Sequence, residues 1–153
     1  RDVYHLSASV EDFDVSLRRL VERGLQVTPH LVIGLHYGEI RGESAALEMI
    51  SRYLVHTLVL VVINPLAGTG MAGVAPPTPG EVGRLFIKAR RLFPSTPIIL
   101  GCARPGGEHK QETDGYALKA GFNGIAYPAE GIVSVAREKG LRTVVTEYCC
   151  SMM

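Results

Sequence analysis

The chain of 153 residues is 46% hydrophobic and 20% charged, enough to build a sizeable core and too apolar for a disordered or fibrous protein. Its formal net charge is +1 with no lysine or arginine block, so nothing asks for nucleic acid or an anionic membrane surface. The longest apolar run, residues 58–63, is far short of the roughly 20 residues a membrane-spanning helix needs, and residues 1–5 carry no signal-peptide pattern.

In chain order the pattern alternates helix and strand. Residues 10–23 put Val10, Phe13, Leu17, Leu20 and Val21 on one helical face, with Ser9 as cap, Asp12 at the capping-box position and Gly24 as terminator. Residues 26–35 read as a buried strand, 44–54 as a helix, and 57–63 as a strand with almost no polar alternation, hence buried on both faces. A loop rich in glycine and proline follows over 64–79. Then come a helix over 80–93, a strand over 97–102, a helix over 109–120, a strand over 123–127 and a helix over 130–139. Residues 141–145 read as a last β-like piece.

Apolar strands joined by helices imply a parallel sheet. Two α/β architectures compete, a doubly wound open sheet and part of a (β/α)8 barrel. At roughly 31 residues per βα unit the chain holds about five units, so a barrel reading makes it a partial barrel in one domain, residues 1–153. The opening on Arg1 fits a fragment of a longer protein, and equally a processed or trimmed chain. Three cysteines, Cys102, Cys149 and Cys150, are an odd number in a chain with a real core; this argues for a reducing, cytoplasmic setting over a secreted disulfide framework.

In either architecture the active site lies beyond the C-terminal ends of the strands. Those ends read Gly34 to Glu39, Asn64 to Gly70, Gly101 to Gly107, and Tyr127-Pro128. Turn chemistry alone explains any one of them; four in succession at one edge favour a binding site. Arg104 can clamp a carboxylate or phosphate, or simply pair with Glu108 or Glu39. Cys102 shares its strand parity, although a lone strand cysteine is more often inert core. His30 and His36 lie roughly 20 Å apart along one strand and cannot share a metal, which leaves His36 as the acid–base or binding candidate. Cys149 and Cys150 are either metal ligands or redox thiols, or else unremarkable thiols on a tail; an ordinary disulfide between neighbours is strained. No Walker-type loop, GxGxxG, CxxC, zinc-ligand array or GxSxG occurs.

The segments QVTPHLVIGL, NPLAGTGMAG, ARRLFPSTPIILGCARPGG and ALKAGFNGIAYP, in that order over about residues 10–128, resemble the second half of a radical S-adenosylmethionine enzyme of the biotin-synthase-like branch. The ILGCARPGG segment and the closing Cys149-Cys150 look most like its archaeal, lipoyl-synthesis-linked homologues. The resemblance implies the C-terminal half of a TIM-like barrel. It implies S-adenosylmethionine bound on a [4Fe–4S] cluster and cleaved to a 5′-deoxyadenosyl radical for hydrogen abstraction, often for sulfur insertion. Val32, Ile33, Gly34 and Leu35 match the strand packed against the adenine. Gly68 and Thr69 match a loop at the nucleoside, and Arg104 the arginine beside an auxiliary iron–sulfur cluster. The CxxxCxxC cluster motif is absent and would lie in the missing N-terminal half, the first implied partner. A small-molecule or carrier-bound substrate and a reductant such as ferredoxin or flavodoxin are the others. Thr28 stands where biotin synthase has a cysteine ligand on this strand, a departure that argues against a biotin-synthase-type auxiliary cluster; Cys102 is the candidate substitute ligand. Two other readings remain: a lyase-type barrel fragment, for which no strand end offers a lysine, and a stand-alone small-molecule binding module.

Overall fold

A computed structural model describes residues 3–150. Its elements are α1 (Val10–Glu22), β1 (His30–Ile33), α2 (Glu43–Ile50), β2 (Leu58–Val62), α3 (Pro79–Leu92), β3 (Ile98–Leu100), α4 (Gly107–Lys119), β4 (Gly124–Ile125) and α5 (Ile132–Glu138). The four strands form one sheet in the order β1-β2-β3-β4, every neighbouring pair parallel.

That order decides between the two architectures. A doubly wound sheet reverses strand order and puts helices on both faces. Here the order is sequential, and alternate residues Leu58, Leu60 and Val62 of β2 and Ile98 and Leu100 of β3 share one core with Leu47 of α2, Phe86 of α3 and Ala117 of α4. Helices therefore cover a single face, the winding of a partial (β/α) barrel. The register Val59↔Ile99 and Leu100↔Ile125 brings all C-terminal strand ends to one edge. β1 and β4 each have one strand neighbour, so among the described residues both sheet edges stay open. No helix among the described residues is long and apolar enough to cross a membrane.

Local sequence accounts for most boundaries. Ser9 and Asp12 form the capping box of α1. Gly24, at φ +73°, closes that helix with its own N–H on the Val21 carbonyl and that of Leu25 on Leu20, the paired bonds of a Schellman turn. Thr78 and Glu81 form a second capping box at α3, with Pro79 in its first turn.

Several sequence expectations need correction. The α1 face is split: Leu17 is buried, but Val10 is 77% and Phe13 56% exposed, because α1 lies at the rim against α2. The first strand is four residues, not ten; His30 opens it after Pro29, and Gly34 at φ +77° turns it away. α2 stops at Ile50, and the Arg52 and Tyr53 side chains turn back onto Asp14. Residues 141–145 join no strand: among the described residues nothing pairs with β4 on that side, and Val145 is 85% exposed.

Candidate functional site

The corner between β1 and α2 is built on a buried carboxylate. Glu43, 6% exposed, accepts the backbone N–H of Gly34 (2.8 Å) through Oε1, and those of Arg41 (2.8 Å) and Gly42 (3.0 Å) through Oε2. Three amide donors replace the water that this charge gives up on burial. Gly34 is required here twice over, by its positive φ and because a Cβ would overlap the Pro77 ring at 2.5 Å. A Cβ on Gly38 would run into the Ala75 carbonyl. The β1–α2 turn is thus packed tightly on the loop after β2.

Beside this corner lies an open cleft of about 280 Å³, lined by Leu31, Val32, Leu35, His36, Arg41 and the chain at Tyr4. His36 lies edge-on to Tyr37 at 5.3 Å, and its Nε2 is 3.4 Å from Arg41. Of the four residues matched to an adenine-packing strand, Val32 and Leu35 line the cleft. Ile33 does not: it is fully buried on the helix-covered face. Fully covered by that core, its side chain does not reach the cleft. The Gly34 N–H is already committed to Glu43.

Gly68 and Thr69 sit exposed in the loop after β2, where Thr69 donates to the Leu66 carbonyl (2.7 Å) and accepts from Met71 N–H (3.2 Å). The far end of the loop is held from the other side. His109 of α4 donates from Nε2 to the Pro77 carbonyl (2.8 Å), and Thr113 lies 3.2 Å from its Nδ1. Pro77 therefore sits between the β1–α2 turn and the first turn of α4. His109 carried no usable spacing in the sequence, since its partner is a backbone carbonyl 32 positions away.

Arg104 departs from the expectation of a ligand-facing clamp. It is 5% exposed and forms a two-point ion pair with Asp114, at 2.7 Å from Nε and 3.0 Å from Nη2. Nη1 donates to the Gly101 carbonyl and Nη2 to those of Ala126 and Tyr127. Asp114, also buried, accepts the Ala129 N–H at 2.7 Å. The pair fastens the ends of β3 and β4 to α4 and the start of α5. Neither Glu108 nor Glu39 is the partner, because α4 presents Asp114 under the strand end. Arg90 plays a similar part at the opposite edge, donating to the carbonyls of Phe93, Thr96 and Gly121 and to Asn123 Oδ1, which also accepts from Ile98 N–H. Segments ARRLFPSTPI and AGFN thus share one structural network.

The cysteines separate from Arg104 and come toward one another. Cys102 is exposed past the end of β3 while Arg104 is buried, so shared parity did not give a shared environment. Cys150 is buried against Val59 and Ile99 on the face opposite the helices, with its Sγ 3.9 Å from that of Cys149. Among the described residues, no group of three or more His, Cys, Asp or Glu is arranged to hold a metal ion.

No family model matches the chain. Over 107 residues, 68% of its length, it is 35% identical to a protein of Cenarchaeum symbiosum (strain A) named biotin synthase. The aligned stretch is 32% of that protein, so the chain spans about a third of the curated relative it matches.

Proposed function

We propose that this chain is the nucleoside- and substrate-positioning part of a radical S-adenosylmethionine enzyme, completed by the N-terminal half of the same barrel. The observation that carries the reading is the 35% identity to a protein named biotin synthase, joined to a sequentially wound parallel sheet whose strand ends share one edge. A [4Fe–4S] cluster does not fit the cysteines here, which have no CxxxCxxC spacing, so its ligands belong to the other half. The cleft at β1 does fit a flat apolar ring: Leu31, Val32 and Leu35 form its wall, with His36 and Arg41 at the rim. When bound, the cofactor would supply a 5′-deoxyadenosyl radical for hydrogen abstraction from an unactivated carbon, with sulfur insertion as one outcome.

The chain's own residues orient and exclude. Val32 and Leu35 bury the ring, His36 supplies a hydrogen bond at the rim, and the Glu43 cradle keeps this corner rigid. The open edges of β1 and β4, together with the bare Val10 and Phe13, are where the rest of the barrel docks. The substrate, small or carrier-bound, and the reductant, a ferredoxin or flavodoxin, meet the completed enzyme.

The test is anaerobic reconstitution of the full-length protein with iron and sulfide, followed by an assay for 5′-deoxyadenosine under reducing conditions. Product, reduced in Leu35→Asp at unchanged iron content, supports the reading. Iron incorporation without product, or no incorporation at all, sinks it and moves a small-molecule binding module ahead.

A further inference from the structure

We propose that the completed enzyme carries one iron–sulfur cluster only, because this half does not fit the auxiliary cluster that its resemblance implies. The inference rests on the radical reading above and narrows its cofactor complement. Two positions here bear on an auxiliary cluster: Thr28, where biotin synthase has a cysteine, and Arg104. The backbone ladder puts them at opposite ends of the sheet. The carbonyls of Val27 and Pro29, on either side of Thr28, accept the amides of His56 and Val59, and the Pro97 carbonyl accepts that of Leu58. Thr28 is therefore level with the start of β2 and β3. At the other end the Val62 amide bonds the Ala103 carbonyl, so Arg104 lies past the last residue of β2. The full length of β2, about 13 Å at the rise of a parallel strand, separates the two levels.

The Arg104 side chain does not span that distance. Its guanidinium is tied to the C-terminal strand ends through the carbonyls of Gly101, Ala126 and Tyr127, and to Asp114 at two points. A guanidine nitrogen binds iron only through a lone pair, and each of these three nitrogens instead points an N–H at an oxygen. Withdrawing it would leave the Asp114 carboxylate buried and unpaired. What the pair holds is the turn after β4. Tyr127, a non-glycine residue at φ +46°, is fixed between its carbonyl on Arg104 and the Ala129 amide on Asp114. Cys102 does not repair the ligand set, since it stands exposed past β3, at the Arg104 end. Nearer the Thr28 end, the sheet face away from the helices carries Val59 and Ile99, covered by Cys150. Cys149 and Cys150 are two thiols 3.9 Å apart, and among the described residues no group of three or more His, Cys, Asp or Glu is arranged to hold a metal.

The full-length protein would be reconstituted anaerobically with isotopically enriched iron and sulfide, then analysed for iron and sulfide per chain and by Mössbauer spectroscopy. The expected result is about four iron and four sulfide per chain, with all the iron in a [4Fe–4S] signal. The double variant Arg104→Met with Asp114→Leu, checked for fold by circular dichroism, should give the same count and spectrum. Thr28→Cys should gain no iron, because Arg104 stands at the far end of the sheet. About six iron per wild-type chain with a [2Fe–2S] signal overturns the inference and leaves the radical reading standing. Iron gained in Thr28→Cys, or lost from a folded double variant, does the same. A protein that takes up no iron overturns both.

Discussion

Two corners of the strand-end edge bury a charge, and they do it in opposite ways. At β1 the charge is the Glu43 carboxylate, satisfied by three backbone amides of its own turn. At β3 and β4 it is the Arg104 guanidinium, satisfied by Asp114 and by carbonyls of two strand ends. The first arrangement is local and leaves an open cleft beside it. The second joins four elements, β3, β4, α4 and the start of α5. A buried charge held within one turn can sit beside a binding surface, whereas one shared among several elements is a fastener. Catalytic significance for Arg104 therefore needs more than its place at a strand end.

The largest effect should come from splitting the fastener. Arg104→Ala strands the Asp114 carboxylate in the interior and should cost about 3–5 kcal/mol, read from the urea midpoint. Replacing both partners together by Met and Leu should restore most of that loss; an equally damaged double variant would show that the pairing matters less than the carbonyl contacts. Consequently, loss of activity in Arg104→Ala alone cannot be read as chemistry.

Glu43→Gln keeps the shape of the other corner and removes its charge. A loss of about 1.5–3 kcal/mol is expected, with looser protection of the Gly34 and Arg41 amides in hydrogen exchange. Gly34→Ala should cost a similar amount through its positive φ and the Pro77 overlap. If Gly34→Ala proved harmless, the tight packing of the two loops would be wrong.

Smaller still, Thr78→Ala should remove about 1 kcal/mol from α3 by taking away its cap. The same cap predicts a pH dependence. Hydrogen bonds from Thr78 hold the Glu81 carboxyl below its ordinary value of 4.5, so the unfolded chain takes up this proton first. Its contribution is complete above pH 4.5 and fades as pH falls through the lower, folded value; Glu81→Gln should flatten that part of the acid-denaturation curve. His36→Ala, in contrast, should leave stability within about 0.5 kcal/mol while weakening the nucleoside binding proposed for the cleft, measured by calorimetry.

Much of the fold was legible because it is written in short-range chemistry. The Ser9–Asp12 box, the Gly24 stop and the unbroken apolar run of β2 each depend on residues within a few positions, and the structure has all three. The site was legible only in outline. Strand ends could be located, so Val32, Leu35 and His36 were found at the cleft. The direction each side chain takes past a strand end could not be located, because parity lapses where pleating stops. Cys102 and Arg104, two positions apart, end respectively in solvent and in the core for that reason.

What the amino-acid sequence determined by itself is the alternation of parallel-type strands and helices and the edge at which their glycine-rich ends gather, since periodicity and turn chemistry are local. Only the tertiary structure decided the sequential strand order, the Asp114 partner of Arg104, the His109 hold on Pro77 and the return of Cys150 to the sheet. Each of these joins groups far apart in the chain, and such pairings are set by packing and by the need to satisfy buried polar groups, not by spacing along the backbone.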